Sequence, residues 1–438
     1  MSHRIVIRTL FIAALAAGFS AILAVAVMAE PGMPMQDESG ARLSNESYLM
    51  RHPFNRPARL TPQELLGKMI FFDKDLSYNE NQSCAACHAP EAGWTGPTAS
   101  VNAHGSVYEG SIPGRFGNRK PPTSAYATQS PVLYYEPAED LFIGGNFWDG
   151  RATGEKLGNP AADQAQGPFL NALEQALDSP VNVIGKICTG MYANMFLKVC
   201  GNQACRQENV ENAFDCVGMA IAAYEASPEV NQFSSKFDAV MAGREKFTRK
   251  EKKGFELFTG KGKCSLCHIV EGIGGSLALL TDYTFDNLGV PKNPENPFYT
   301  QADFNPQGAD WIDLGLGEFL LGRPDYATYA DANYGKQKVP TLRNVDKRPY
   351  PGFVKDYGHN GYFKSLKRIV HFYNTRDVLP VCPTDMTDLQ AEKANCWPKP
   401  EVAVNVNTDE LGNLGLTNPE EDAIVEFMQA LSDGYKAR

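Results

Sequence analysis

The chain has 438 residues, 43% of them hydrophobic, with 41 basic against 51 acidic side chains and a net charge of −10. That length exceeds what a single core usually serves, so two domains are expected. The acidic balance excludes nucleic acid as a natural partner and argues against an anionic membrane surface; a basic protein suits it better.

At the N-terminus Arg4 and Arg8 precede an apolar run from Leu10 to Met28, and in "VMAEP" Val27 and Ala29 fit the small residues before a signal-peptidase cut. Residues 1–29 are therefore expected to be an export signal, with the mature chain starting near Glu30 and a periplasmic location. Only an uncleaved run would tie the protein to a membrane. Next, "TPQELLGKMIFF" places Glu64 three residues after Thr61, followed by Gly67 and Phe71. That is a capping box with Pro62 at the first helical position, so a helix is predicted to lead into "SCAACHAP". The same spacing returns in "TRKEKKGFELF", with Thr248, Glu251, Gly254 and Phe258, ahead of "KCSLCHIV". Near the C-terminus Asn418-Pro419-Glu420-Glu421 is expected to open another helix, with Ala423, Ile424, Phe427, Met428 and Leu431 on one face. Between these helices the chain is rich in Gly, Pro and Asn. The fold class expected is mainly α: two cytochrome c-like haem domains with long ordered loops. The boundary falls between residues 230 and 247, giving an N-terminal domain at 30–240 and a C-terminal one at 241–438.

C-x-x-C-H is the attachment signature of haem c, in which two thiols bond the haem vinyls and the next His supplies a nitrogen to iron. The competing readings are a redox dithiol or half a zinc site. A shuffled chain with these 10 Cys and 7 His would hold roughly 0.004 such matches. Two matches behind the same helix start therefore point to two covalently bound haem c groups. Cys84, Cys87 and His88 hold the first; Cys264, Cys267 and His268 hold the second. Six cysteines remain. In an exported chain they are expected to form disulfides, Cys382 with Cys396, while Cys188, Cys200, Cys205 and Cys216 allow three connectivities.

With these residues in order, the chain resembles the bacterial dihaem cytochrome c peroxidase/MauG family from about Thr61 to Leu431. The motifs are "FFDKDLSYNENQSCAACH", "FWDGRA", "QAQGPFLNALEQ", "GFELFTGKGKCSLCH", "VPTLRN" and "KSLKRIVHFYN". The resemblance implies an oxidoreductase in which the N-terminal haem reduces hydrogen peroxide and the C-terminal haem relays electrons. The donor would be a small periplasmic cytochrome c or cupredoxin. The alternative is peroxide-dependent oxidation of aromatic residues on a partner protein, as MauG does; a dihaem electron carrier without catalysis is the third reading.

The resemblance also implies residue roles. Glu174 matches the acid/base glutamate, although Asn171 with Glu174 also reads as a capping box. Gln164 and Pro168 match peroxide-pocket residues, and Trp148 matches the tryptophan between the haems, where plain packing is the competing reading. Tyr373 stands at the sixth-ligand position of the second haem, with His371, Met386 and His359 as alternatives. A phenolate there stabilises ferric iron where a thioether would raise the potential. His104 resembles the distal His that blocks the first haem in some oxidised peroxidases, against a solvated loop His. The family's calcium between the domains meets a departure. In "RKPPT" Lys120 stands where an Asn ligand is expected, and an ammonium cannot ligate a cation. Asn118 is the nearby substitute.

Overall fold

A computed structural model describes residues 59–272 and 277–437, so the export signal expected at 1–29 lies outside the described residues. The first half carries α1 (Pro62–Phe71), α2 (Ala99–Asn102), β1 (Tyr134–Glu136), β2 (Leu141–Ile143), α3 (Pro160–Leu170), α4 (Pro180–Thr189), α5 (Ala193–Cys200) and α6 (Val210–Glu225). Then come α7 (Lys236–Met241), α8 (Arg249–Thr259), β3 (Phe285–Asp286), α9 (Leu316–Leu321), β4 (Gln337–Lys338), α10 (Leu366–Thr375), α11 (Asp388–Ala394) and α12 (Asn418–Gln429). The strands form two antiparallel pairs, β1 with β2 and β3 with β4. The protein is mainly helical, and long loops built on 3₁₀ turns connect the helices.

Both anticipated capping boxes form. Glu64 N–H donates to Thr61 Oγ1 at 3.2 Å while Glu64 Oε2 accepts from Thr61 N–H at 2.6 Å, and Thr248 with Glu251 repeats both distances. Each box satisfies two of the orphan donors at a helix start and is worth about 1 kcal/mol. At the C-terminal helix the box sits one residue earlier than expected: Thr417 is the cap and Glu420 its partner. The apolar face is as read, with Ile424 and Phe427 fully buried and Leu431 buried just beyond the helix end.

The repeat extends into packing. Helix α1 crosses α6 where a Cβ on Gly67 would lie 1.8 Å from the Ala220 carbonyl oxygen. Helix α8 crosses α12 where a Cβ on Gly254 would lie 1.9 Å from that of Ala423. Glycine is required at both because the partner backbone occupies the space of a side chain. One core gathers Leu66, Ile70, Phe169, Val217 and Ile221 around Cys84; the other gathers Phe258, Val370, Phe372, Ile424 and Phe427 around Cys264 and Tyr373. Segments from both sides meet at Arg343, which donates to the two oxygens of Asp238 at 3.0 and 2.8 Å with 1% of its side chain exposed. Its guanidinium lies 5.1 Å from the ring centre of Tyr126.

The cluster of four cysteines resolves into interlaced bridges: Cys188–Cys205 ties α4 to the loop before α6, and Cys200–Cys216 ties the end of α5 to α6. Cys382–Cys396 forms as anticipated and closes a loop around α11. On the loop-entropy scale a closure of this length is worth about 3 kcal/mol. Replacing Cys382 and Cys396 together by Ser should lower unfolding stability by about that amount, read from urea denaturation; an unchanged midpoint would show that the loop is already ordered when reduced.

Candidate haem sites and the wall between them

Each C-x-x-C-H forms one 3₁₀ turn, Cys84–Ala86 and Cys264–Leu266, that brings the two sulfurs and the following His to one side. His88 N–H donates to the Cys84 carbonyl at 3.0 Å and His268 N–H to that of Cys264 at 2.9 Å, fixing both rings relative to their cysteines. The rings are oriented from behind: His88 Nδ1 lies 3.4 Å from the Trp94 carbonyl and His268 Nδ1 2.9 Å from that of Leu280. With Nδ1–H spent on a carbonyl, Nε2 keeps its lone pair for a metal. Burial lowers both imidazoles to about 4, against the opposing pull of Trp94 and Pro122 at His88 and of Leu280 and Pro340 at His268. Neutral imidazoles beside paired thiols are the donor set haem c requires, so the residues at both places fit that cofactor.

Two cavities accompany these motifs. One of about 80 Å³ is lined by His88, Gln164 and Glu225; the other, of about 210 Å³, by Cys264, Cys267, His268 and Tyr373. Trp148 lines both. So do Pro122 and Thr123 from one side and the run Lys338 to Thr341 from the other. This common wall is a second repeat, K-x-P-T, present as Lys120 to Thr123 and Lys338 to Thr341. The two copies grip the tryptophan: Trp148 Nε1–H donates to the Lys120 carbonyl at 2.8 Å, and the Trp148 carbonyl accepts from Lys338 N–H at 2.7 Å. Neither segment marks the pairing by itself; the shared K-x-P-T is the signal the sequence carries for it.

Helix α3 carries Gln164 and Pro168 four residues apart, hence on one face. Pro168 lacks the N–H that would bond the Gln164 carbonyl. No helix starts at Asn171; it closes α3, and the turn after it presents Glu174. The competing capping-box reading gives way to a side-chain contact, Asn171 Nδ2–H donating to Glu174 Oε1 at 2.6 Å. Burial raises the Glu174 carboxyl above its usual range, against Arg151 and the Asn171 contact. Its charge reaches the attachment motif: burial first and Glu174 second push the free Cys87 thiol up to about 12.

Tyr373 packs half-buried beside the second pentapeptide, and desolvation raises its hydroxyl well above the ordinary range. Of the alternatives, His371 is engaged with Glu421 Oε1 at 2.9 Å and Met386 packs on the Cys382–Cys396 bridge. Neither lines either of these two cavities. His359 lines the second cavity beside Trp148, with ring centres 6.5 Å apart, and its Nε2 lies 3.8 Å from oxygens of Asp313 and Glu401. His104 lines neither cavity; its ring is 69% exposed and pairs with Glu295 at 3.0 Å.

The calcium position fails a fit test. Lys120 Nζ is buried, 3.2 Å from Thr95 Oγ1 and 3.7 Å from Asp356 Oδ1, so a cation already faces that carboxylate. Asn118 contributes its carbonyl to Asn296 Nδ2 at 2.8 Å. An ammonium in this place repels a divalent ion.

Paired C-x-x-C-H turns in two helical halves that share a tryptophan wall fit a dihaem c-type protein. Residues 61–246 match the family described as di-haem cytochrome c peroxidase. The chain is 34% identical over 371 residues to the methylamine utilization protein MauG of Paracoccus denitrificans, covering 84% of this chain and 88% of that protein. It is 30% identical over 308 residues to the cytochrome c551 peroxidase of Nitrosomonas europaea, covering 70% of each. The crystal structure of the diheme peroxidase BthA from Burkholderia thailandensis superimposes with a TM-score of 0.67 at 27% identity, over 87% of this chain and 89% of that one. The chain belongs to the dihaem cytochrome c peroxidase/MauG family and is a peroxidase-type oxidoreductase.

Proposed function

We propose that Cys84, Cys87 and His88 would hold the haem that supplies hydrogen peroxide reduction, that Cys264, Cys267, His268 and Tyr373 would hold a second haem able to store or relay oxidising equivalents, and that Trp148 would lie on the path between them. The observation that carries this reading is the tryptophan wall common to both cavities. Haem iron supplies the redox chemistry of O–O cleavage when bound. The protein's part is proton handling and positioning: Glu174 would take the peroxide proton and return it to the leaving oxygen, Gln164 lines the cavity at His88, and Pro168 lies one turn further along the same helix. A carboxyl whose pKa is raised by burial is suited to both directions of transfer. The two cores are read as two haem domains meeting near residue 240.

Tyr373 favours the MauG-like form of this function, in which the equivalents are withdrawn from aromatic residues on a partner protein. A phenolate favours the more oxidised iron, which suits a store of oxidising power better than a ferrous donor. A small cytochrome c or cupredoxin as donor is the alternative. The surface position of His104 supports a first haem open to peroxide at rest. Three disulfides and the leader-like segment support periplasmic placement.

Electron paramagnetic resonance of the oxidised protein tests the reading. One high-spin and one low-spin haem are expected before any reduction; two low-spin haems that persist after one-electron reduction would overturn it. Trp148→Phe should leave both haem spectra intact and slow re-reduction of the first haem by electrons entering at the second. Equal rates in the variant would remove the tryptophan from the path.

A further inference from the structure

Lys338 sits on β4 in the second half of the chain, yet its ammonium faces the cavity of His88. It donates to Ser130 Oγ at 3.0 Å and to the Gly144 carbonyl at 3.1 Å, and Ser130 lines only that cavity. An ammonium has three donors, so two neutral acceptors leave one N–H to place and a whole charge to balance. Its counterpart in the K-x-P-T repeat, Lys120, has Asp356 at 3.7 Å. Lys338 has no carboxylate within ion-pair distance among the described residues, and burial pulls its pKa down to about 7 against a weaker pull from Asp282. Beside it, with Nζ 5.2 Å from the ring centre, Tyr283 lines the same cavity, and its buried hydroxyl has no hydrogen-bond partner among the described residues.

Two donors, the half-buried Lys338 ammonium and the buried Tyr283 hydroxyl, converge on one wall and lack an anionic acceptor among the described residues. Buried polar groups of this kind are normally satisfied, and a carboxylate would satisfy both. Haem c attached through its vinyl edge at Cys84 and Cys87 carries two propionates on the opposite edge. We infer that Lys338 and Tyr283 together bind a propionate of the first haem, so that the second half of the chain supplies the counter-charge for the first half's cofactor. This rests on the placement of a haem at His88. It makes Lys338 a positioning residue: its N–H holds Trp148 while its side chain sets the electrostatics of the neighbouring iron. A fixed cation stabilises the more reduced state, so it holds the first haem's midpoint potential up.

The test is a spectroelectrochemical titration of both haems in holoprotein, with haem content measured alongside, for wild type, Lys338→Met, Lys338→Arg and Tyr283→Phe. The expected result is a lower first-haem midpoint in Lys338→Met with the second haem unmoved, recovery of most of the shift in Lys338→Arg, and a smaller shift in the same direction for Tyr283→Phe. An unmoved first haem in Lys338→Met, an equal shift of both haems, or no recovery with Arg overturns the inference. If Lys338→Met loses the first haem, retention in Lys338→Arg supports a charge requirement and loss in both variants overturns it. Wild-type protein without a haem at Cys84 and Cys87 would sink the placement itself.

Discussion

Glu174→Gln is expected to retain both haem spectra and to lose peroxide turnover by about 10²–10⁴-fold, the range of a positioned general acid/base. The substitution isolates proton transfer. A glutamine Oε1 still accepts from Asn171 Nδ2, the contact made at 2.6 Å in the parent, so the turn from 171 to 176 keeps its anchor. What disappears is a group able to exchange a proton beside the first attachment motif, where the Glu174 charge already reaches the Cys87 sulfur. Steady-state peroxide consumption with a reduced small cytochrome, read with the pyridine haemochrome spectrum, separates the outcomes. Unchanged turnover would leave Glu174 as a turn residue and nothing more.

Gly254→Ala should cost at least about 3 kcal/mol, the upper part of the range for overpacking. The methyl would meet the Ala423 carbonyl oxygen at 1.9 Å, and no rotamer change can relieve a collision with backbone. Helices α8 and α12 must then part by more than an ångström, which strips Phe258 and Phe427 from each other; their ring centres now lie 5.1 Å apart. Because α8 ends only a few residues before Cys264, the same movement should displace the second attachment turn and lower haem content at that site. Thermal unfolding followed by circular dichroism, with haem stoichiometry on the purified variant, reads both effects. A loss below about 1 kcal/mol would show that the crossing can widen freely. Gly67→Ala should do the same to α1, α6 and the first site, with a contact of 1.8 Å to Ala220.

What could be read from the sequence was what local chemistry encodes. The pentapeptides carry their function in five contiguous residues, and the boxes at Thr61 and Thr248 in four. The third box was read one residue late because Asn418 and Thr417 can both cap and both have an acid three residues on. The spacing at Glu174 carries a similar ambiguity: Asn171 could open a helix, and in the structure it ends one. The pairing among Cys188, Cys200, Cys205 and Cys216 depends on how α4, α5 and α6 pack, and the wall around Trp148 on segments far apart in the chain; no local pattern specifies which will meet. Lys338 and Tyr283 escaped notice for the same reason: each is unremarkable alone and acquires meaning through the cavity that receives it.

The grip on Trp148 has a mechanical side. Lys120, from its own half of the chain, holds the indole by its ring nitrogen, and Lys338, from the other half, holds the residue by its main-chain oxygen, so Trp148 is a rivet between them. A hinge opening between the halves would have to break the Lys338 bond. On the proposed path, traffic between the haems would then be interlocked with closure of the molecule, and a partner that pried the halves apart would act as a circuit breaker.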